Sequence, residues 1–104
     1  MVNGFLFVSG QIAIDPSSNQ LVNSDIERET LRVMENIEAI LHAAGLDFSH
    51  VVKSTIFLID MDDFAKVNHV YGTYFPKEPP ARETVQVARL PKDVHVEISV
   101  VAVA

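Results

Sequence analysis

Two helices packed on one face of a mixed β-sheet, an α+β sandwich, is the architecture this chain implies. Three observations lead there. Strand-like and helix-like segments follow one another as strand, helix, strand, helix, strand, strand. The last segment is apolar on both faces towards its end, which places it centrally with cover on both sides. The 104 residues, 48% hydrophobic and 21% charged, suffice for one domain over 1–104 and leave no room for a second.

Phe5 to Ile14 is rich in β-branched and aromatic residues and reads as a strand, with a bend or bulge at Ser9-Gly10-Gln11. Asp15-Pro16-Ser17-Ser18-Asn19 is a turn. Ser24 to Ala44 carries the strongest helix signal. Ser24 and Glu27 fit an S-x-x-E capping box, and Ile26, Leu31, Met34, Ile37, Ile40, Leu41 and Ala44 recur on one face. Gly45 suits a left-handed helix end. Val51 to Ile59 is a second strand. Asp60 to Phe75 is a second helix, capped by Asp60 or Asp62 and stopped by Pro76, Pro79 and Pro80. Thr84 to Ala88 is a short strand and Val94 to Ala104 the last one. There Val94, Val96, Ile98, Val100 and Ala102 alternate with His95, Glu97, Ser99, Val101 and Val103. Two helices cover one sheet face, so the other apolar face calls for self-association. Asn3-Gly4 is a hairpin-turn signal with Met1 and Val2 alone before it, as though a preceding strand were missing.

Composition narrows the function. The net charge of −6 and pI near 5.0 make the chain a poor candidate for general nucleic-acid binding, which needs Lys and Arg against phosphates. No apolar run approaches the roughly 18 residues of a membrane span. No secretory signal is visible, and the absence of cysteine excludes disulfides and a thiol nucleophile and fits a cytoplasmic protein. His42, His50, His69 and His95 lack the spacing of a metal site, so no metal is expected.

Three features stand out. Arg82 follows Pro79-Pro80-Ala81, a stiff base for a guanidinium, the group suited to bidentate carboxylate binding. The plainer alternative is a surface arginine beside Glu83. Glu97 lies in a strand otherwise apolar, where a carboxylate is costly unless paired or facing a cavity. Its alternative role is an ion pair with Arg82 or Arg89. Arg82, Arg89 and Lys92 fall close together in sequence and form either an anion patch or a solvated loop.

Phe7-Val8-Ser9-Gly10-Gln11, Val51-Val52-Lys53-Ser54-Thr55, Asp63-Phe64-Ala65-Lys66-Val67-Asn68, Pro80-Ala81-Arg82, Val87-Ala88-Arg89-Leu90-Pro91-Lys92-Asp93 and Val96-Glu97-Ile98 resemble the motifs of the RidA/YjgF family, also known as L-PSP endoribonuclease or translation inhibitor. The resemblance runs in order from Phe5 to Val103. It implies a chorismate-mutase-like fold, a homotrimer with sites between subunits, and no cofactor. It also implies hydrolytic deamination of small imino or enamine acids, 2-iminobutanoate and 2-iminopropanoate, to 2-keto acids and ammonia. By position, Arg82 would clamp the substrate carboxylate and Glu97 would hold and activate water. Ser9, Gly10 and Asn68 would line the pocket. Thr84 stands where many members have cysteine, with its backbone facing the imine end. Relatives usually carry an N-terminal strand with a pocket-lining tyrosine, and this chain starts after it. Two other readings are a non-catalytic ligand-binding or chaperone-like member, and a ribonuclease, against which the net charge counts.

Overall fold

Eight elements follow one another in the computed structural model, which describes all of Met1–Ala104: β1 (Phe5–Gln11), β2 (Ile14–Asp15), β3 (Gln20–Leu21), α1 (Ile26–Ala43), β4 (Val51–Leu58), α2 (Phe64–Gly72), β5 (Ala81–Gln86) and β6 (Val96–Val103). Short 3-10 turns precede β4, α2 and β6. The main sheet has the order β1-β6-β4-β5, antiparallel except for the β4–β5 pair, which α2 connects as a crossover. The last strand is central, as expected, but within the chain only its helix-side face is covered. The expected α+β sandwich is observed.

α1 begins one residue later than the capping box suggested. Asp25 is the cap, and its Oδ1 accepts the Arg28 N–H at 2.8 Å. Asp caps as well as Ser and adds negative charge at the positive end of the helix. With Asp25 as cap the third helical residue is Arg28, so the Ser24–Glu27 box does not form. Val33, Met34, Ile37 and Leu41 are fully buried against the sheet, each contributing about 2 kcal/mol from its apolar area. Leu31 points outward instead. Gly45 closes the helix at φ +76°, and the Leu46 N–H returns to the Leu41 carbonyl at 2.8 Å.

Other boundaries move too, including the start of the last strand, from Val94 to Val96. β1 stops at Gln11, and Ile14–Asp15 pairs with Gln20–Leu21 in a small hairpin around the expected turn. The second helix is a 3-10 turn, Met61–Asp63, capped by Asp60, followed by a shorter α2. β5 starts at Ala81 and ends at Gln86, because its parallel register with Lys53–Leu58 sets its limits. Arg82 is therefore a strand residue.

The pairing sorts side chains by face. Ser54, Ile56, Val96, Ile98, Val100 and Ala102 are fully or almost fully buried on the helix side. Arg82 and Thr84, opposite Ser54 and Ile56, share that side. The other side carries Phe5, Phe7, Phe57, Val85, Glu97, Val101 and Val103. Nothing in the chain covers it: Phe7 is 66% exposed and Phe5 and Val85 about 40%. Asn3 and Gly4, both left-handed, make a tight turn in which Val2 and Phe5 exchange two 2.8 Å hydrogen bonds, so the Asn-Gly signal is a real turn.

Candidate functional site

The first half of the site forms where α2 crosses β5. The Arg82 guanidinium donates through Nη1 to Asn68 Oδ1. It also stacks between two rings, 5.3 Å from the centroid of Phe64 and 5.4 Å from that of Tyr71. Phe64, Asn68 and Tyr71 recur at helical spacing and present one edge of α2 to the arginine. The head is thus held by the helix more than by the prolines, and its remaining N–H donors are free. A recess of about 330 Å³, lined by Asn68, Tyr71, Gly72, Phe75, Pro79, Pro80 and Arg82, opens beside it. Beneath lie the hydroxyls of Ser54, Tyr71 and Thr84, buried and without a hydrogen bond of good geometry. Burial pushes the Tyr71 phenol above its ordinary range, and the nearby Ser54 hydroxyl and the Arg82 charge pull the other way.

The second half forms at the bulge in β1. Pairing between β1 and β6 slips between Val8 and Gln11, so Ser9 and Gly10 are left out of register. Glu97, opposite Phe57, turns its side chain onto this gap. A Cβ on Gly10 would lie 2.5 Å from Glu97 Cδ and 2.8 Å from both carboxylate oxygens. Glycine leaves the space here that the Glu97 carboxylate occupies; its backbone angle is not of the left-handed kind. Glu97 has no cationic partner. Arg89 binds Asp93 instead, at 2.7 and 3.2 Å, and Arg82 binds Asn68. Neither expected ion pair forms, and the possible patch of Arg82, Arg89 and Lys92 is dispersed, with Arg82 at one end of β5 and Arg89 beyond the other.

Within one chain the two halves stay apart. Arg82 and Glu97 are two strands apart laterally and three residues apart in register. That separates their Cα atoms by about 14 Å, with side chains on opposite faces. The structure brings together Arg82 and Asn68, with Thr84 next along the strand, and separately Ser9, Gly10 and Glu97. Sequence reasoning missed Phe64 and Tyr71 as ring partners; their spacing to Asn68 was the available signal.

It also missed Glu29 and His95. Glu29 is fully buried on α1. Its carboxylate accepts the backbone N–H of His95 at 2.7 Å and of Val96 at 3.1 Å, and lies 2.8 Å from His95 Nδ1. β6 starts at Val96, so His95 leaves the expected strand alternation and turns to the helix. No group of acidic or histidine side chains with metal-binding geometry is present, and no helix is long and apolar enough to cross a membrane.

Comparison with known proteins agrees with the residue pattern. The family profile described as Endoribonuclease L-PSP matches residues 1–104. A RutC family protein of Pyrococcus horikoshii is 53% identical over 98 residues, 94% of this chain and 78% of that protein. The rat 2-iminobutanoate/2-iminopropanoate deaminase is 48% identical over 103 residues, 99% of this chain and 75% of the rat protein. The crystal structure of Escherichia coli TdcF with bound serine superposes with a TM-score of 0.94 at 39% identity, covering 100% of this chain and 84% of TdcF. Full-length profile match, high identity and the same fold together establish that the chain belongs to the endoribonuclease L-PSP family, the RidA/YjgF family.

Proposed function

We propose that the protein is a cytoplasmic homotrimeric deaminase. It hydrolyses 2-imino and enamine acids such as 2-iminobutanoate and 2-iminopropanoate to 2-keto acids and ammonia. The carrying observation is the arrangement of Arg82 and Glu97: two charged groups without salt-bridge partners, on opposite faces of one sheet. They can serve one substrate if the open face of one protomer meets the edge of the next. The uncovered Phe5, Phe7 and Val85 supply a reason for such contact. The rat deaminase supports the substrate class.

In this mechanism the free donors of Arg82 grip the substrate carboxylate, while Asn68, Phe64 and Tyr71 hold the guanidinium in place. The Thr84 backbone faces the imine end. Ser9 and Gly10 line the opposite wall beside Glu97. Glu97 takes a proton from water as the water oxygen bonds to the imine carbon. Glu97 passes that proton to the imine nitrogen, giving a neutral carbinolamine; it then carries the hydroxyl proton to the same nitrogen as the C–N bond breaks, the carbonyl forms and ammonia leaves. Water is the only co-reactant.

The test is hydrolysis of 2-iminobutanoate generated in situ, comparing the protein with Arg82→Ala. Accelerated keto-acid release that disappears in the variant is the expected result. Unchanged turnover in the variant would remove the mechanism. The serine bound to TdcF favours a second reading, a binder of small amino acids. Ligand binding that depends on Arg82, with no acceleration of hydrolysis, would select it.

A further inference from the structure

We infer that Glu29 is a positioning residue for Glu97, acting through the backbone at the start of β6; the inference rests on the deaminase reading of Glu97. Glu29 comes from the opposite side of the sheet. Its side chain is 1% exposed, a costly place for a carboxylate unless all its acceptor capacity is used. It is used on consecutive residues: the amides of His95 and Val96 and the His95 ring. Glu97 is the next residue.

Two further observations show why the strand start needs holding. The preceding loop contains two consecutive non-glycine residues in the left-handed region, Lys92 at φ +54° and Asp93 at φ +55°. Such residues are strained and relax unless their surroundings fix them. On the other flank the Ile59 N–H donates to the His95 carbonyl at 3.2 Å. His95 is thus held from α1 through its N–H and from the end of β4 through its carbonyl. Glu97 then lies over Gly10 with no room for a Cβ between them. A small slide of the β6 start would move the Glu97 carboxylate relative to the bulge while leaving the Arg82 half of the site untouched.

Glu29→Gln keeps the size of the side chain but replaces the charged Oε2 that both amides share with a neutral, weaker acceptor and turns an NH2 group towards the His95 ring. We expect kcat for imine hydrolysis to fall by about tenfold, with KM and keto-acid binding near wild type. His95→Ala removes the ring contact and leaves both amides bound, so kcat stays near wild type. Glu29→Asp keeps the charge one methylene short and gives an intermediate kcat; it decides the matter if Glu29→Gln fails to fold. A readout independent of activity is the carboxyl NMR signal of Glu97 together with amide exchange at His95 and Val96. The signal moves and both amides exchange faster in Glu29→Gln, or in Glu29→Asp if that variant alone folds. A folded Glu29 variant with lower stability, wild-type kcat and an unmoved Glu97 signal would overturn the inference. So would His95→Ala losing as much turnover as Glu29→Gln. If the unmodified protein shows no deaminase activity but the Glu97 signal still moves, the deaminase reading fails and the clamp stands.

Discussion

Gly10 is the clearest single position at which chemistry and backbone are tied together. A methyl group there would overlap the Glu97 carboxylate, the far end of a flexible side chain, while the fold around it has room to stay. Gly10→Ala is therefore expected to keep its thermal stability and to lose turnover by about tenfold, because the carboxylate proposed to activate water is displaced. Steady-state kinetics beside a melting curve check this; a fully active Gly10→Ala protein would detach Glu97 from the bulge. Arg82 and Glu97 were legible in the sequence as an arginine on a proline base and an acid in an apolar strand. Glu29 was not, because nothing in a helix periodicity distinguishes a carboxylate facing the core from one facing water. Its partners are more than 60 residues away. The rings around Arg82 were hidden for a similar reason: Phe64 and Tyr71 read as ordinary core positions of α2.

Elements were legible where periodicity is long and blurred where pairing decides. The eighteen residues of α1 and the eight of β6 stand out by spacing alone. β5 does not, since its limits come from the parallel register with β4 and not from its own composition. The cap of α1 is a sharper case, with two good capping residues side by side. The structure predicts that Asp25→Ala costs about 1 kcal/mol and Ser24→Ala almost nothing. Chemical denaturation of the two variants distinguishes them, and the reverse order would restore the Ser24–Glu27 box. The strand break at Ile12–Ala13 went unread because the apolar run continues through it; Ala13 is fully buried although it lies between strands.

For the molecule as a whole, the exposed acids set one limit of stability. The Ser17 hydroxyl holds the Asp15 carboxyl below its ordinary 3.8, the Ser49 hydroxyl does so for Asp47, and Arg89 does so for Asp93. A folded-state pKa below the unfolded one stabilises above the unfolded value and loses that contribution as pH falls through the folded one. The melting temperature should thus be flat from neutral pH to about 5 and drop below about 4. A melting temperature that rises on acidification would contradict these assignments. The open sheet face sets the other limit. Phe7→Asp places a charge in its centre, and sedimentation should then report dissociated protomers that remain folded. An unchanged assembly would move the interface elsewhere. The bare face itself was legible in the sequence, as an apolar face that two helices leave uncovered. Which residues would meet in the proposed assembly was not, because the pattern of one chain does not encode how two copies lie against each other.

The most direct test of a site shared between protomers is complementation. Arg82→Ala and Glu97→Gln are each expected to be inactive in imine hydrolysis. In the proposed homotrimer, unfolding the two together, mixing them equally and refolding gives some sites that combine an intact Arg82 from one copy with an intact Glu97 from its neighbour. Random assembly gives about a quarter of the sites this composition, so about a quarter of the unmodified activity should return. Mixed trimers that contain both variants and regain no activity would contradict the shared site.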